Sequence, residues 1–136
     1  MYTVMNAELP ELPYQYNALE NSISEQVMEW HHDTHHAGYV DGVNSAEEGL
    51  EEQRKTGDFS DSAPLLTSFT HNYAGHVLHT LFWNNMSPDG GGEASGELRD
   101  KIEEDFGSYE NWRQEFEEAA KSASGWALLV YIPRED

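Results

Sequence analysis

The chain has 136 residues, of which 26 are acidic and 7 are basic, so its formal net charge at pH 7 is −19. This length is sufficient for a small buried core. The negative charge argues against nucleic acid or an anionic membrane as a partner. It favours a halophilic protein that stays soluble in high salt. Cysteine is absent, which excludes disulfides and thiolate metal sites, and the lack of a secretory or membrane-spanning apolar run predicts a cytoplasmic protein.

Proline and aromatic residues are concentrated in the first part of the chain. Pro10 and Pro13 disfavour helix, so residues 1–17 are predicted to be extended and to lie across neighbouring elements. A first helix is predicted to follow, with Ser22 or Ser24 as its N-cap.

Apolar residues at helical spacing extend this first helix beyond Tyr39. Glycines weaken the pattern, so a kink or break is predicted near 42–45. The polar stretch 46–56 has basic residues in its last turn, and it is predicted to end the helix at Gly57.

A second helix is predicted after a short polar loop at 57–63. Pro64 suits its first turn, and apolar residues at helical spacing continue to a predicted end near Asn85. Two helices with so short a connection should pack antiparallel. Residues 1–86 are therefore interpreted as an N-terminal helical hairpin domain.

Residues 87–93 contain proline and a run of glycines, and they are interpreted as a linker to a second domain at 94–136. Two short helices are predicted there, the first ending at Gly107 and the second capped by Ser108. Residues 126–131 have the pattern of a buried strand. Because a single strand is not stable by itself, either another chain completes the sheet or the sequence is a truncated piece of a longer protein, and truncation is the favoured interpretation.

Four of the seven histidines lie close together in the first helix. On a helix, His31, His35 and Tyr39 lie along one face because they are spaced four residues apart. His32 and His36 form a parallel row. Two rows of imidazoles favour metal ligation, and surface histidines on an acidic helix are the alternative interpretation.

A second histidine cluster lies in the second helix. His79 shares a face with His76 and Trp83, and Gly75 removes a side chain one turn before it. An antiparallel hairpin would bring one histidine from each helix to a common point. Such a pair suits a redox metal if further ligands come from elsewhere.

Two other kinds of metal site are weaker interpretations of the same residues. Glu29 and His32 form a Glu-x-x-His pair, the unit of di-iron carboxylate bundles, but the sequence has no second pair of this kind. A structural zinc site is disfavoured because there is no cysteine and no closed set of four ligands.

Several longer motifs resemble those of the manganese/iron superoxide dismutase family, and most closely its haloarchaeal members, between about Leu9 and Tyr131. The resemblance implies the family's α+β fold, mostly α in this chain, with the helical hairpin followed by the first helices and first strand of an incomplete C-terminal α/β domain. The matching stretches are Leu12-Pro-Tyr-Gln-Tyr-Asn-Ala-Leu-Glu20, Ile23-Ser-Glu-Gln26, His31-His-Asp-Thr-His-His-Ala-Gly-Tyr39, Gly75-His-Val-Leu-His-Thr-Leu-Phe-Trp83, Asp105-Phe-Gly-Ser-Tyr109 and Ser124-Gly-Trp-Ala-Leu-Leu-Val-Tyr131.

The resemblance also implies roles for individual residues around a metal. His31 and His79 match the family's first two metal ligands. Tyr39 matches the tyrosine above the open coordination position, and His35 matches the neighbouring histidine that lines the path of the substrate. These two are the implied catalytic residues.

Further residues match the surroundings of that metal in the family. Trp83 and Trp126 match its aromatic walls. Gly75 occupies a position where glycine is usual with manganese, so the implied cofactor is manganese, with iron as the alternative.

The implied activity is the disproportionation of superoxide to oxygen and hydrogen peroxide. The family's other two metal ligands belong to an Asp-x-Trp-Glu-His motif, which this sequence does not contain. The alternative is therefore a truncated, non-catalytic remnant that keeps only two ligand histidines. The resemblance also implies a homo-oligomer if the missing C-terminal region is supplied.

Overall fold

The computed structural model describes residues 6–133. The chain divides between Gly90 and Gly91 into two compact units, each described here by itself. This division falls inside the predicted linker at 87–93, whose own limits stay a prediction. In the first unit, residues 6–15 form no helix, and a 3₁₀ turn at Tyr16–Leu19 leads into a pair of long helices.

The first long helix has three consecutive parts. It begins with α1 (Glu25–Glu29), continues through a π-helical segment (Trp30–His36) and ends with α2 (Ala37–Thr56). The Ser24 side chain accepts a hydrogen bond from the backbone N–H of Val27, which makes Ser24 the N-cap. The predicted stop at the other end is confirmed, because Gly57 has a φ of 75°.

The prediction of a break near 42–45 is wrong, since α2 runs unbroken through these residues, and the alternative of a kink there stays a prediction. The helix departs from α geometry further upstream, in the π-helical segment, and such segments occur frequently at functional sites. Gly42 serves another purpose, because a β-carbon there would overlap the side chain of Asn72. A β-carbon at Gly49 would lie 2.7 Å from a Leu65 methyl group. Both glycines therefore allow a close approach of the next helix.

The second long helix, α3 (Ser62–Asn84), packs along α2. The two helices run in opposite directions, since Gly49, later in α2, faces Leu65 near the start of α3, whereas the earlier Gly42 faces the later Asn72. The predicted antiparallel hairpin is thus present.

The core of this unit lies where the N-terminal segment crosses the hairpin. Leu19, Met28 and Trp83 are buried together there. The Tyr14 hydroxyl donates to the backbone carbonyl of Trp83 at 2.9 Å. This confirms, for residues 6 onward, that the aromatic segment lies across neighbouring elements. Residues 1–5 of the segment lie outside the described residues. Partly buried side chains complete the core, namely Leu12, Tyr14, Tyr16, Ile23, Phe82 and Met86.

The second unit contains two helices, α4 (Gly96–Phe106) and α5 (Tyr109–Ser122). Both predicted boundaries between them are confirmed. Gly107 follows α4 with a φ of 81°, and the Ser108 side chain accepts from the backbone N–H of Asn111 to cap α5.

The prediction of a buried strand at 126–131 is wrong for the part of the chain that the structure describes. These residues have no strand geometry, and Val130 and Tyr131 are 61% and 76% exposed. An apolar run forms a strand only when a neighbouring strand accepts its backbone hydrogen bonds. The described residues contain no other strand to pair with it.

Within residues 6–133, none of the helices combines the length and apolar character that crossing a bilayer demands. Every lysine and arginine in this range pairs with a carboxylate, as Arg54 does with Glu47 at 2.7 Å. With 26 acidic and only 7 basic residues in the sequence, most carboxylates cannot have a cationic partner of their own.

We expect the free energy of unfolding to rise with NaCl concentration, because salt screens the mutual repulsion of these carboxylates. The Debye length falls from about 10 Å at 0.1 M to about 3 Å at 1 M. Urea unfolding followed by circular dichroism at increasing NaCl would measure the effect, and a neutral osmolyte provides the non-ionic control. A midpoint that is unchanged or lowered by NaCl would contradict the expectation.

Candidate metal centre

The π-helical segment and α3 supply the histidines of the candidate site. His31 is half-buried and His35 is exposed, and their ring centroids are 5.4 Å apart on the π-helical segment. His79 lies in α3 and is 1% exposed. Its ring centroid is 5.0 Å from that of His31 and 5.0 Å from that of His35. The structure thus brings three imidazoles from two helices together.

Two of these imidazoles point the same ring atom at each other. The Nε2 atoms of His31 and His79 are 3.0 Å apart. Two nitrogen ligands with bonds of about 2.1 Å, set at right angles on one ion, would be separated by about 3.0 Å. The spacing therefore fits a pair of ligands to a single metal ion, although the role of these residues as ligands stays a prediction.

The tautomer of His79 follows from its surroundings. Its Nδ1 is 2.7 Å from the backbone carbonyl oxygen of Gly75, which can only accept, so Nδ1–H donates. In the neutral ring this leaves the Nε2 lone pair directed toward His31. A backbone carbonyl that orients a histidine in this way is typical of metal sites.

Burial keeps the imidazoles of His31 and His79 neutral near pH 7. It lowers the pKa of His31 from 6.5 to about 4, helped by the neighbouring imidazoles of His79 and His35. Burial also lowers the pKa of His79. Because a histidine must be neutral to bind a metal, both rings are in the required form over the physiological pH range.

Tyr39 lies on the outer side of this group. Its ring centroid is 5.1 Å from that of His35 and 5.2 Å from that of His79. Gly75 makes this position possible, since a β-carbon there would overlap the Tyr39 ring, at 2.7 Å from its Cγ. The predicted close approach at Gly75 is therefore present, and the approaching group is the tyrosine ring.

Aromatic side chains border the site on its inner side. Trp83 is 1% exposed, and its ring centroid is 4.9 Å from that of His31. The ring of Phe82, which the sequence did not single out, lies 5.6 Å from the same imidazole. Trp126 belongs to the second unit, and its place beside the metal stays a prediction.

A buried hydrogen-bonded series next to the site had no assigned role in the sequence interpretation. The Nδ1 atom of His36 accepts from the indole N–H of Trp83 at 2.9 Å, so Nε2–H donates to Nδ1 of His76, also at 2.9 Å. His36 is fully buried, and burial lowers its pKa to about 4. The regular spacing of histidines along both helices could have predicted this second pair. Where one histidine pair bridges two packed helices, histidines one turn away on each helix can form another.

His32, in contrast, has both ring nitrogens occupied away from the site. Its Nδ1 lies 2.6 Å from Asp33 Oδ1, and its Nε2 lies 2.7 Å from the carbonyl oxygen of Pro10. The Tyr16 hydroxyl donates to the same carboxylate at 2.7 Å. His32 therefore fixes the N-terminal segment to the helix, and the di-iron interpretation based on Glu29 and His32 finds no support.

Comparison with known families covers nearly the whole chain. The α-hairpin domain of the iron/manganese superoxide dismutases matches residues 6–87, and their C-terminal domain matches residues 94–136. The chain belongs to the iron/manganese superoxide dismutase family. This confirms the predicted family fold, of which the described residues contain the helical part.

Individual superoxide dismutases give the same result. The chain is 66% identical over 128 residues to "Superoxide dismutase [Mn]" of Haloarcula marismortui, which covers 94% of this chain and 63% of that protein. It is 68% identical over 126 residues to "Superoxide dismutase [Mn] 2" of Halobacterium salinarum, covering 93% and 63%. "Superoxide dismutase [Fe]" of Pyrobaculum aerophilum is 46% identical over 140 residues, covering 100% and 66%. The chain thus spans a little under two thirds of the length of these curated relatives.

Replacing Gly75 with alanine should displace the Tyr39 ring, because the new methyl group would overlap it. Overpacking of this kind costs about 1–3 kcal/mol of unfolding free energy. Loss of nuclear Overhauser contacts between Tyr39 and His79, together with urea unfolding, would measure both effects. Gly38→Ala is the matched control, because nothing lies within 4 Å of a β-carbon at this helical position. Equal stability of the two variants with Tyr39 in place would contradict the assignment.

The metal-free protein should lose stability as the pH falls from 6.5 toward about 4. In the folded chain the pKa of His31 and of His36 is about 4, whereas the ordinary pKa of a histidine is 6.5, so the unfolded chain binds more protons in this window. The contribution of these neutral imidazoles to the free energy of unfolding is fully present above pH 6.5 and decreases on acidification. Urea unfolding across this range, with chelator present, would measure it.

The variant His36→Gln tests the part of this response that belongs to His36. Glutamine can accept from Trp83 and donate to His76 as the imidazole does, but it does not titrate. Its stability should therefore depend less steeply on pH between about 4 and 6.5. An unchanged slope would show that proton uptake at His36 is not responsible.

Proposed function

We propose that this chain acts in the metal-dependent disproportionation of superoxide, in which two superoxide anions and two protons give one O₂ and one H₂O₂. The observation that carries the proposal is the pair of Nε2 atoms, from His31 and His79 on opposed helices, only 3.0 Å apart. Membership of the iron/manganese superoxide dismutase family supports it. The chain spans 63% of two of its relatives, so the activity is proposed for the chain and not taken from them.

Manganese is the proposed metal, and iron is the alternative. The relatives from Haloarcula marismortui and Halobacterium salinarum carry manganese in their names, and the one from Pyrobaculum aerophilum carries iron. When bound, such an ion supplies the one-electron change of oxidation state that the two halves of the reaction require. His31 and His79 would hold it, both being neutral through burial, and the Gly75 carbonyl keeps the His79 ring in the orientation that binding needs.

Tyr39 and His35 are proposed to handle the protons that the product requires. His35 is exposed, so its imidazole can exchange protons with solvent, and its ring lies 5.1 Å from that of Tyr39. Tyr39 in turn lies against His79. Together they form a short path for protons between solvent and the pair of ligand histidines.

Trp83 and Phe82 are proposed to limit access of water from the opposite side. Both rings lie against His31, and Trp83 is held in place because its indole N–H donates to His36. A small apolar wall of this kind leaves room for a diatomic anion while strengthening electrostatic interactions within the site.

The surroundings of the protein are part of the same proposal. A net charge of −19 repels an anionic substrate at long range, and molar salt would reduce this repulsion to distances of about 3 Å. We further propose a cytoplasmic location, with neither nucleic acid nor membrane as a partner, and a homo-oligomeric assembly if the family's remaining C-terminal region is supplied.

Metal analysis of the purified 136-residue chain, after dialysis, tests the function directly. We expect about one manganese or iron ion per chain and consumption of superoxide, followed by stopped-flow absorbance, in proportion to metal content. His79→Ala should lose the metal and the activity, because it removes the buried one of the two proposed ligands, and no neighbouring side chain can take its position.

His71→Ala is the control for metal content, since His71 is exposed and lies outside the cluster of His31, His35 and His79. It should retain metal as the original chain does. Protein that is metal-free and inactive after dialysis would instead support the non-catalytic interpretation.

A further inference from the structure

We propose that His36 and His76 form a brace between the two long helices, and that this brace positions the ring of His79 and the indole of Trp83 for the reaction. His76 is the positioning residue on which the brace depends. The inference rests on the proposed function, because His79 and Trp83 belong to the site described there. The brace itself takes no part in binding metal or in transferring protons.

The brace spans about two turns of α3. His76 and Trp83 are seven residues apart, so they share a face of the helix, with His79 between them. His36 comes from the opposite helix, where its Nδ1 accepts from the indole N–H of Trp83 and its Nε2–H donates to Nδ1 of His76, each at 2.9 Å. Its ring also stacks on that of His79, with centroids 5.3 Å apart and planes inclined by 27°. A single imidazole therefore contacts all three side chains.

The direction of these hydrogen bonds makes His76 necessary. An indole N–H can only donate, so Nδ1 of His36 must accept, and the neutral His36 ring carries its proton on Nε2. Because His36 is fully buried, this N–H cannot turn to solvent where it lies and needs an acceptor within the protein. Nδ1 of His76 is that acceptor. The orientation of the His36 ring therefore depends on a donor at one end and on His76 at the other.

The π-helical segment explains how His31 and His36 can both face α3. In an α-helix, residues five apart are about 140° apart around the axis, so only one of the two would point at the neighbouring helix. The segment Trp30–His36 has i→i+5 hydrogen bonds instead, which bring residues five apart to nearly the same side. The ring centroids of His31 and His36 accordingly lie 5.0 Å and 5.3 Å from that of His79. The departure from α geometry thus serves the proposed ligand and the brace together.

The brace affects the reaction through the position of Trp83. This indole is 1% exposed and its ring centroid lies 4.9 Å from that of His31, so its position defines the inner wall of the site. Without an acceptor at residue 76, the buried Nε2–H of His36 is unsatisfied, and a turn of the imidazole toward solvent would remove the acceptor of the indole N–H. Neither residue of the brace belongs to the candidate metal cluster. Loss of the brace should therefore move the wall while the proposed ligands remain in the chain.

Two substitutions of His76 test the brace in the chelator-treated, 136-residue chain. His76→Asn keeps an acceptor, because the asparagine Oδ1 lies close to the position of the imidazole Nδ1, whereas His76→Leu removes it. Hydrogen exchange of the Trp83 indole N–H, followed by NMR, should accelerate at least about tenfold in His76→Leu relative to the backbone amides of α3, since an unsatisfied buried donor commonly costs that much or more. Nuclear Overhauser contacts between the His36 and His79 rings should be lost as well. His76→Asn should retain both the protection and these contacts.

Val43→Ala is the control for a general loss of stability. Val43 is fully buried in α2, and its side chain forms no hydrogen bond, so this truncation weakens packing without touching the brace. Exchange of the indole N–H and of the α3 backbone amides should change by the same factor in this variant. Urea unfolding would establish that the two kinds of variant are compared at known stability.

Kinetics separate a positioning role from a merely structural one. After loading with manganese, kcat/KM for superoxide per bound ion should fall roughly tenfold or more in His76→Leu, since a small misplacement remote from the chemistry can cost as much as 10²-fold. His76→Asn should restore it, and Val43→Ala should keep the value of the original chain.

Several results would overturn the proposal. Exchange of the indole N–H that is no faster in His76→Leu than in the original chain would do so, as would a His76→Asn variant that behaves as His76→Leu does. Faster exchange with unchanged activity per ion would leave the brace a structural contact only. A chain that consumes no superoxide with manganese or iron would refute the dismutase function instead, and the exchange and Overhauser measurements on the metal-free protein would still decide whether His76 holds Trp83 and His79 in place.

Discussion

The close approach of α2 and α3 is the constraint on which the site depends. Glycines lie at the points of contact, and a β-carbon at Gly42, Gly49 or Gly75 would collide with a side chain of the opposite helix. Only at such short range can imidazoles that extend from two separate backbones bring their Nε2 atoms to 3.0 Å. The glycines that disfavour helix locally are therefore required by the pairing of the helices, and the packing energy of the hairpin outweighs their cost of roughly 1 kcal/mol each.

A second consequence of this packing is a group of neutral, buried imidazoles. Desolvation disfavours the charged form, and it lowers the pKa of His31 and His36 to about 4. The same burial requires that each ring nitrogen find a partner, which His36 does through Trp83 and His76. For His79 the carbonyl of Gly75 satisfies one nitrogen, and the other is left to face His31. Burial and hydrogen bonding thus set the tautomer and the orientation of these rings.

The parts of the structure that sequence alone predicted are those determined by local signals. The N-caps at Ser24 and Ser108 and the stops at Gly57 and Gly107 depend on a few neighbouring residues, and all were predicted. The hairpin followed from helical periodicity and a short loop. The π-helical segment was not predicted, because a short run of i→i+5 hydrogen bonds leaves almost no trace in an apolar pattern. The exposed run at 126–131 was wrongly predicted to be a strand, since pairing depends on residues distant in sequence.

The candidate site, too, could be predicted from the sequence only in part. Sequence spacing, together with the family resemblance, was enough to select His31, His35, Tyr39, His79 and Trp83, and the structure brings these side chains together. Spacing does not determine which of them donate to a metal, because that depends on ring orientation and on competing hydrogen bonds. His32 illustrates the point, since it lies beside His31 in the sequence but has both nitrogens occupied by Asp33 and Pro10. For His79 the ring orientation is set by the carbonyl of Gly75, and the packing of the two helices brings its Nε2 to 3.0 Å from that of His31, neither of which spacing alone reveals.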